Sequence, residues 1–379
     1  MNFDLSEEQL AVQAAARDFA QTELLPGVIE RDAEQRFPAE QIKKMGALGF
    51  MGMMVDPKYN GGGMDTISYV LAMEEISKID ASASVCMSVN NSLVCWGLET
   101  FGTEAQKEKY LKRLTTGEAI GAFCLSEPEA GSDATSQRTT AEDKGDHYVL
   151  NGTKNWITNG KSASVYIVIA QTDAAKRHKG INALIVERGM DGFVVGKKED
   201  KMGIRGSDTH SLMFSDVKVP KENRIGEDGF GFTFAMTTLN GGRIGIASQA
   251  LGIASGAYEL AVRYAKERKA FGKHLAEHQA IQFKLADMAT KIDSARLLIW
   301  KAAVLKDQKR NFVKAAAMAK LYASQIAQEV TTEAVQIHGG YGYVKEFHVE
   351  RLMRDAKITQ IYEGTTEIQK MVISRELLR

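Results

Sequence analysis

Three short runs in the middle of the chain decide its fold: SVYIVIA at residues 164–170, INALIVE at 181–187 and SLMFSDVKV at 211–219. β-Branched and aromatic residues dominate these runs, and turn signals such as Asn151-Gly152 and Asn159-Gly160 punctuate the region. The intervals between the runs are too short for βαβ crossovers. We therefore predict an antiparallel sheet or small barrel over about residues 121–225.

The sequence on both sides of this region has a helical pattern. Ser6 and Gln9 have capping-box spacing ahead of a first helix. Further helical patterns lie near residues 39–48, 66–78, 82–100 and 104–114, and Gly61–Gly63 predict a loop. No proline lies between Lys221 and Arg379, and this stretch predicts helices near 241–268, 278–308, 313–338 and 366–378. The predicted class is α+β, with helical regions at 1–120 and 226–379 flanking the sheet at 121–225.

Composition narrows the range of partners. Lys plus Arg and Asp plus Glu each number 48, and this zero net charge argues against nucleic acid or an anionic membrane as the main partner. No apolar run approaches the roughly 20 residues that span a bilayer. The scattered Cys86, Cys95 and Cys124 predict reduced, mostly buried thiols. The amino terminus has no targeting pattern, so we expect a cytoplasmic protein, or a mitochondrial matrix protein if a presequence was removed.

Four segments have residue types suited to binding or catalysis. They are CLSEPEAGSDATS at 124–136, NWITNG at 155–160, QIHGGYGY at 336–343 and IYEGTTE at 361–367. Small and hydroxyl residues around glycine let main-chain N–H groups approach an anionic or heteroaromatic ligand, and a Trp beside a Thr suits a flat cofactor. Taken singly, each has an ordinary alternative: a surface loop, a strand with a core Trp, a helix C-cap or a surface Glu.

Together the four segments resemble acyl-CoA dehydrogenases, and the resemblance covers essentially the whole chain. The 124–136 stretch is one signature of that family. A second runs from Gln336 through Gly339, Gly340, Gly342, Tyr343, Glu346 and Arg351 to Asp355. The short-chain, butyryl-CoA-type branch is the best match, notably through YVKEFHVERLMRDAKITQIYEGTTEIQ at 343–369. The resemblance implies an α-helical amino-terminal domain, a β-barrel middle domain and a carboxy-terminal four-helix bundle.

The resemblance also implies a reaction and its site. Glu363 would remove the α proton of a short-chain acyl-CoA, and flavin N5 would accept the β hydride. The residues expected to bind FAD are Phe123, Leu125, Ser126, Gly131, Ser132, Trp156, Ile157, Thr158, Arg268, Phe271, Gln279, Gln336, Gly339, Gly340, Thr365 and Glu367. Those expected to contact acyl-CoA are Ser132, Asn240, Arg243, Tyr362 and Gly364. Arg268, Phe271 and Gln279 resemble positions that reach the cofactor of a neighbouring subunit.

Two positions refine these expectations. Relatives commonly have Asp where this chain has Asn240, and Asn keeps the hydrogen-bonding oxygen but loses the charge. Isovaleryl-type relatives carry their catalytic Glu at the position of Gly242, and its absence here favours Glu363 as the base.

Relatives are usually tetramers built as pairs of dimers, and their electron acceptor is an electron-transfer flavoprotein, so we expect both for this chain.

Other interpretations are weaker. The sequence His274-Leu275-Ala276-Glu277-His278 matches a zinc-peptidase pattern, but no third ligand can be assigned. No G-x-G-x-x-G follows a strand, which argues against a nicotinamide site. An acyl-CoA oxidase, a nitroalkane oxidase-like enzyme and a catalytically idle flavoprotein remain alternatives within the same fold.

Overall fold

The computed structural model describes residues 3–378, and helices form its first region. Ser6 caps the first of them as predicted, because its Oγ accepts from the N–H of Gln9 while the Gln9 side chain accepts from the N–H of Ser6. The helices are α1 (Glu7–Phe19), α2 (Val28–Ala33), α3 (Ala39–Ala47), α4 (Thr66–Ile79), α5 (Ala81–Ser88), α6 (Trp96–Phe101) and α7 (Glu104–Thr115). The helix predicted over 82–100 comprises α5 and α6 with π-helical turns between them.

Long helices form the last region. They are α8 (Gly231–Glu267), α9 (Gln279–Asp307), α10 (Val313–His338), α11 (His348–Ile358) and α12 (Thr366–Leu377). Helix α8 begins ten residues before its predicted start, and α11 was not among the predicted helices. The low helix propensity of Gly241 and Gly242 suggests a helix boundary, yet both residues lie inside α8.

The glycines of α8 allow close approach to α4. A Cβ at Gly252 would lie 2.4 Å from the carbonyl oxygen of Glu74, and one at Gly256 would lie 2.4 Å from that of Lys78. Real Cβ atoms do not approach main-chain oxygens that closely, so these positions require glycine. The two glycines therefore let the backbones of α8 and α4 lie in direct contact.

The middle region is a sheet, and the prediction that it is antiparallel is right for most pairs. Its strands are β1 (Gly121–Cys124), β2 (Thr140–Asp143), β3 (His147–Thr158), β4 (Val165–Gln171), β5 (Ile181–Glu187), β6 (Phe193–Lys198), β7 (Thr209–Pro220) and β8 (Arg224–Ile225). The order is β6-β7-β3-β2-β4-β5-β8, and β1 pairs with β4. The prediction is wrong for β1 and β2, which both lie parallel to β4. Neither strand is joined to β4 by a tight hairpin turn, since β3 lies between them and β4 along the chain.

Strands β4 and β5 are buried on both faces and therefore belong to two cores. On one face, Tyr166, Val168 and Leu184 pack with side chains of β3 and β7 in a core enclosed by the sheet. On the other face, Val165 and Ile167 belong to the large core built mainly from helices, and α8 lies against this face. This packing fixes the sheet against the helix that carries part of the candidate site.

Candidate active site

Glu363 lies in the turn between α11 and α12 and has a strained backbone. Its φ is +52°, and Gly364 follows with a φ of +94°. A residue other than glycine in the left-handed region costs about 1–3 kcal/mol and persists only where the surroundings enforce it. The Thr365 hydroxyl caps α12 by accepting from the N–H of Ile368, which fixes the far side of the turn.

The Glu363 carboxylate points at the surface of α8. Its Oε2 is buried and has no hydrogen-bond partner among the described residues. A Cβ at Gly242 would lie 2.2 Å from this oxygen and 2.8 Å from Cδ2 of Leu93. Burial raises the Glu363 pKa to about 7, although the charges of Lys320 and Arg243 act to lower it. An unpaired carboxylate with a pKa near neutrality is suited to act as a general base.

Arg243 lies on α8, one turn after Asn240. One of its guanidinium nitrogens donates to the Asn240 Oδ1, whereas its buried Nε has no partner among the described residues. Burial lowers the pKa of Arg243 to about 10, and the Glu363 carboxylate opposes that change. Asn240 therefore keeps an acceptor for Arg243, as an Asp would.

Three polar residues that hold the Glu363 turn escaped the sequence analysis. Lys320 of α10 donates to the main-chain oxygens of Tyr362 and Gly364. Gln369 also donates to the Gly364 oxygen, at 2.8 Å, and Gln249 accepts from the Tyr362 hydroxyl. A signal was present for Lys320, since it is a lone cation on the apolar face of α10.

The segment after β1 is organised by a buried ion pair. The Lys154 Nζ lies 2.7 Å from the Glu127 Oε1 and also donates to the Leu125 oxygen at 3.0 Å. The Glu127 carboxylate accepts from the main-chain N–H groups of Arg138 and Thr139. Burial raises the Glu127 pKa, but Lys154 and these donors outweigh it, so the net pKa is lowered. The pair ties both ends of the 125–139 loop to β3.

Breaking this pair should destabilise the protein strongly. For Lys154→Met we expect a loss of about 3–5 kcal/mol in the free energy of unfolding, because Glu127 would remain as an unpaired buried charge. Urea unfolding followed by circular dichroism measures the change. Arg113→Met, which breaks the exposed pair with Glu118, is the control and should cost less than about 1 kcal/mol. Equal losses in the two variants would contradict the prediction.

The first group of predicted cofactor residues surrounds the carboxyl ends of β1 and β3. Trp156 is 62% exposed and has a φ of +60°, whereas Ile157 next to it is buried. Gly131 and Ser132 are exposed on the adjoining loop. Phe123, Leu125, Ser126 and Thr158 are half-buried around them. A large aromatic side chain held outward by a strained backbone is typical of a ligand platform.

A second group lies near the carboxyl ends of α8 and α10. Arg268, Gly339 and Gly340 line one cavity of 560 Å³, together with Tyr264 and Tyr341. Phe271 is 97% exposed, with a φ of +51°, in the hairpin formed by β9 (Lys269–Ala270) and β10 (Lys273–His274). Gln279, Gln336 and Glu367 are also exposed. Within residues 3–378, no hydrogen bond joins this group to the first.

The glycines in both groups leave room for a ligand. A Cβ at Gly131, Gly339 or Gly340 would meet no atom of the chain within 4 Å. Packing within the chain therefore does not require glycine there, unlike in α8. Open glycine backbone beside Arg268 fits the phosphates of a dinucleotide, and the Trp156 ring fits a flavin.

The HxxEH segment noted in the sequence does not belong to a cluster of metal ligands within residues 3–378. No three His, Cys, Asp or Glu side chains there are grouped to hold a metal ion. In the HxxEH segment, the His278 ring nitrogen instead contacts the Ala270 oxygen at 3.1 Å. No helix in this part of the chain is long and apolar enough to cross a membrane. Cys86, Cys95 and Cys124 are free and buried, as predicted.

Family comparisons identify the class of protein that this fold and site define. Models of the acyl-CoA dehydrogenase amino-terminal, middle and carboxy-terminal domains match residues 6–118, 122–217 and 229–378. The chain belongs to the acyl-CoA dehydrogenase family, and the fold class implied by the sequence is confirmed.

Individual relatives place it more narrowly within the family. The short-chain specific acyl-CoA dehydrogenase of Clostridium acetobutylicum is 51% identical over 379 residues, covering 100% of both chains. The solved butyryl-CoA dehydrogenase of Megasphaera elsdenii is 51% identical, with a TM-score of 0.98 and 100% of both chains covered. A chain solved in work on the electron transferring flavoprotein of Acidaminococcus fermentans and flavin-based electron bifurcation is 52% identical, with a TM-score of 0.99 and 100% of both chains covered.

Proposed function

We propose that this chain is a short-chain acyl-CoA dehydrogenase that converts butyryl-CoA-type thioesters to their α,β-unsaturated products, with Glu363 as the base. The observation that carries this proposal is the Glu363 carboxylate, whose buried Oε2 lies against Gly242 without a hydrogen-bond partner among the described residues. Burial raises the pKa of this carboxyl. The full-length similarity to short-chain enzymes supports the substrate class. FAD is the cofactor of the family and of this chain.

The residues of the chain supply alignment, desolvation and the base. A thioester α C–H is a very weak acid, so a carboxylate in water removes its proton negligibly fast. The apolar surroundings of Glu363, which include Leu93, favour the protonated carboxyl and so raise its affinity for the substrate proton. The Glu363 N–H is assigned to the thioester oxygen, where a fixed donor stabilises the enolate-like transition state. Bound FAD supplies the acceptor for the β hydride.

Five further assignments complete the substrate contacts. Ser132, Asn240, Arg243 and Gly364 bind the acyl-CoA, and Tyr362 lines its path. Arg243 has a buried Nε without a partner among the described residues, so it has a donor available for a ligand. The hydroxyl of Thr158 and the ring of Trp156 are assigned to the flavin.

The test of this function is an anaerobic titration of the purified flavoprotein with butyryl-CoA. The oxidised-flavin bands should bleach, crotonyl-CoA should form, and an artificial electron acceptor should restore the bands. A flavin-loaded protein that butyryl-CoA and longer acyl-CoA thioesters leave oxidised would overturn the proposal and favour an idle flavoprotein. Rapid oxygen uptake during turnover would instead favour an oxidase.

The activity should depend on pH through Glu363. The base must be ionised, and its pKa in the ligand-free chain is about 7. We expect kcat/KM for butyryl-CoA to rise with pH through a midpoint near 7, since kcat/KM reports the free enzyme. Flavin content, measured at each pH, serves as the control. A midpoint below about pH 5 would contradict the assignment of Glu363 as the titrating base.

The partners of the enzyme follow from the same reasoning. We propose a homotetramer arranged as a dimer of dimers, in which the exposed Arg268, Phe271 and Gln279 reach the FAD of a neighbouring subunit. The electron acceptor is assigned to an electron-transfer flavoprotein. Similarity to the chain studied with the Acidaminococcus fermentans flavoprotein supports that assignment.

A further inference from the structure

Lys320 is a cation in the apolar core of the helical region. Its side chain is completely buried, and α10 places buried residues around it on the same face: Ala316, Ala317, Ala323, Ser324 and Ala327. A buried ammonium is unfavourable unless hydrogen bonds replace its water. Burial accordingly lowers the Lys320 pKa to about 7. Packing alone would be better served by a Met or Leu at this position.

The hydrogen bonds of Lys320 go to the main-chain carbonyls of the two residues that flank Glu363. Its Nζ donates to the carbonyl oxygen of Tyr362, at 2.8 Å, and to that of Gly364. These carbonyls belong to the residues immediately before and after the base. One cation therefore fixes the backbone on both sides of Glu363, where φ is +52°.

Lys320 does this without neutralising the base. Within residues 3–378, no ion pair or hydrogen bond joins its Nζ to the Glu363 carboxylate, whose Oε2 has no partner. A direct ion pair would hold the carboxylate away from the substrate. Contact through the main chain holds the turn and leaves the carboxylate free.

We propose that Lys320 is a positioning residue for the dehydrogenation: it clamps the carbonyls of Tyr362 and Gly364 and thereby aims the Glu363 carboxylate and N–H. This inference rests on the proposed function, in which Glu363 is the base. Gln369 supports the same turn from α12, but it donates to the main-chain oxygen of Gly364 at 2.8 Å and to the main-chain oxygen of Glu363 only at 3.5 Å. Lys320 alone of the two holds the Tyr362 side.

The charge of Lys320 also gives this role a signature that a merely structural contact lacks. Its charge acts to lower the pKa of Glu363, so its removal should raise that pKa further. The other ionisable groups that face or act on this site must be considered as well. They are Arg243 of α8, Tyr69 of α4, Tyr362 beside the base, Asp355 of α11 and Arg375 of α12. All of them remain in a Lys320 variant.

The test compares Lys320→Met and Lys320→Gln with the wild-type holoenzyme in stopped-flow reduction by butyryl-CoA across pH. Lys320→Met should keep FAD and bind crotonyl-CoA within a few-fold of wild type, while its limiting reduction rate at pH 7 falls about 10²-fold, as for a misaligned reacting group. The pH midpoint should move above the wild-type value. Lys320→Gln can donate to one carbonyl, so it should recover part of the rate but keep the shifted midpoint.

Two controls make every outcome decisive. Lys306→Met removes a largely buried lysine near Thr66 and should leave the rate and midpoint unchanged. Glu363→Gln is measured in parallel: wild-type rates in that variant would overturn the proposed function itself. An inactive Glu363→Gln beside a fully active Lys320→Met would overturn only the role of Lys320. Two further results would assign Lys320 to folding and also overturn the proposal. One is that all Lys320 variants fail to retain FAD. The other is that they lose flavin-reduction rate without a shift in its pH midpoint.

Discussion

Glu363→Gln should retain its flavin and leave it oxidised in the presence of butyryl-CoA. The amide has the shape of the carboxylate but cannot accept a proton from carbon. We expect the rate of flavin reduction to fall by about 10⁴-fold, near the upper end of what one general base contributes. Anaerobic stopped-flow absorbance at the flavin bands measures this change.

The stability of this variant provides the control. The folded-state pKa of Glu363 is about 7, above the ordinary value of 4.5. Ionisation of this group therefore disfavours the folded state progressively as pH rises from about 4.5 to 7, and Gln does not ionise. At pH 8 the variant should unfold at a temperature no lower than the wild type. Flavin reduction at near wild-type rate would place the base elsewhere.

Gly242→Ala should have the second largest effect. Its Cβ would lie 2.2 Å from the Glu363 Oε2, so the carboxylate must move away. We expect kcat to fall by 10² or more, since a displacement of about 1 Å from the productive geometry is enough for such a loss. Steady-state turnover with an artificial electron acceptor measures it, and flavin content reports the integrity of the fold.

The adjacent glycine is a matched control. A Cβ at Gly241 would meet only the Ser92 oxygen, at 3.8 Å, which is ordinary contact. Gly241→Ala should therefore keep its activity and gain up to about 1 kcal/mol in the free energy of unfolding, because Ala favours helix over Gly. Equal activity in the two alanine variants would show that the Glu363 carboxylate does not depend on space at Gly242.

The sequence predicted the fold well where its patterns were local. The capping box at Ser6, the long Pro-free helices and the β-rich runs all express preferences of neighbouring residues, and these predictions are confirmed. The early start of α8 was missed because Gly241 and Gly242 are poor helix formers. Contact with Leu93 and Glu363 across the molecule, rather than propensity, explains the second of them.

The site was predicted only in part, for the same reason. Glu363 and the glycine-rich segments stand out because their residue types are unusual in their local context. Lys320 is unusual as a cation on an apolar helix face, but its target and that of Gln249 leave no local pattern, since the two residues act 44 and 113 positions away along the chain. Gln369 acts only 5 positions away, but a Gln within a helix is ordinary. The parallel pairing of β1 with β4 escaped prediction for a related reason, because non-local pairing leaves no periodic trace.

The burial of β4 and β5 on both faces determines how the protein unfolds. Because these strands supply side chains to both cores, neither the sheet nor the helices around α8 can melt while the other stays intact. Unfolding should therefore couple the three family domains into one cooperative unit. A proteolytic fragment with the sheet alone would expose Val165, Ile167 and Ile169 as an aggregation-prone surface, so we expect the middle domain to need the helical regions to stay in solution.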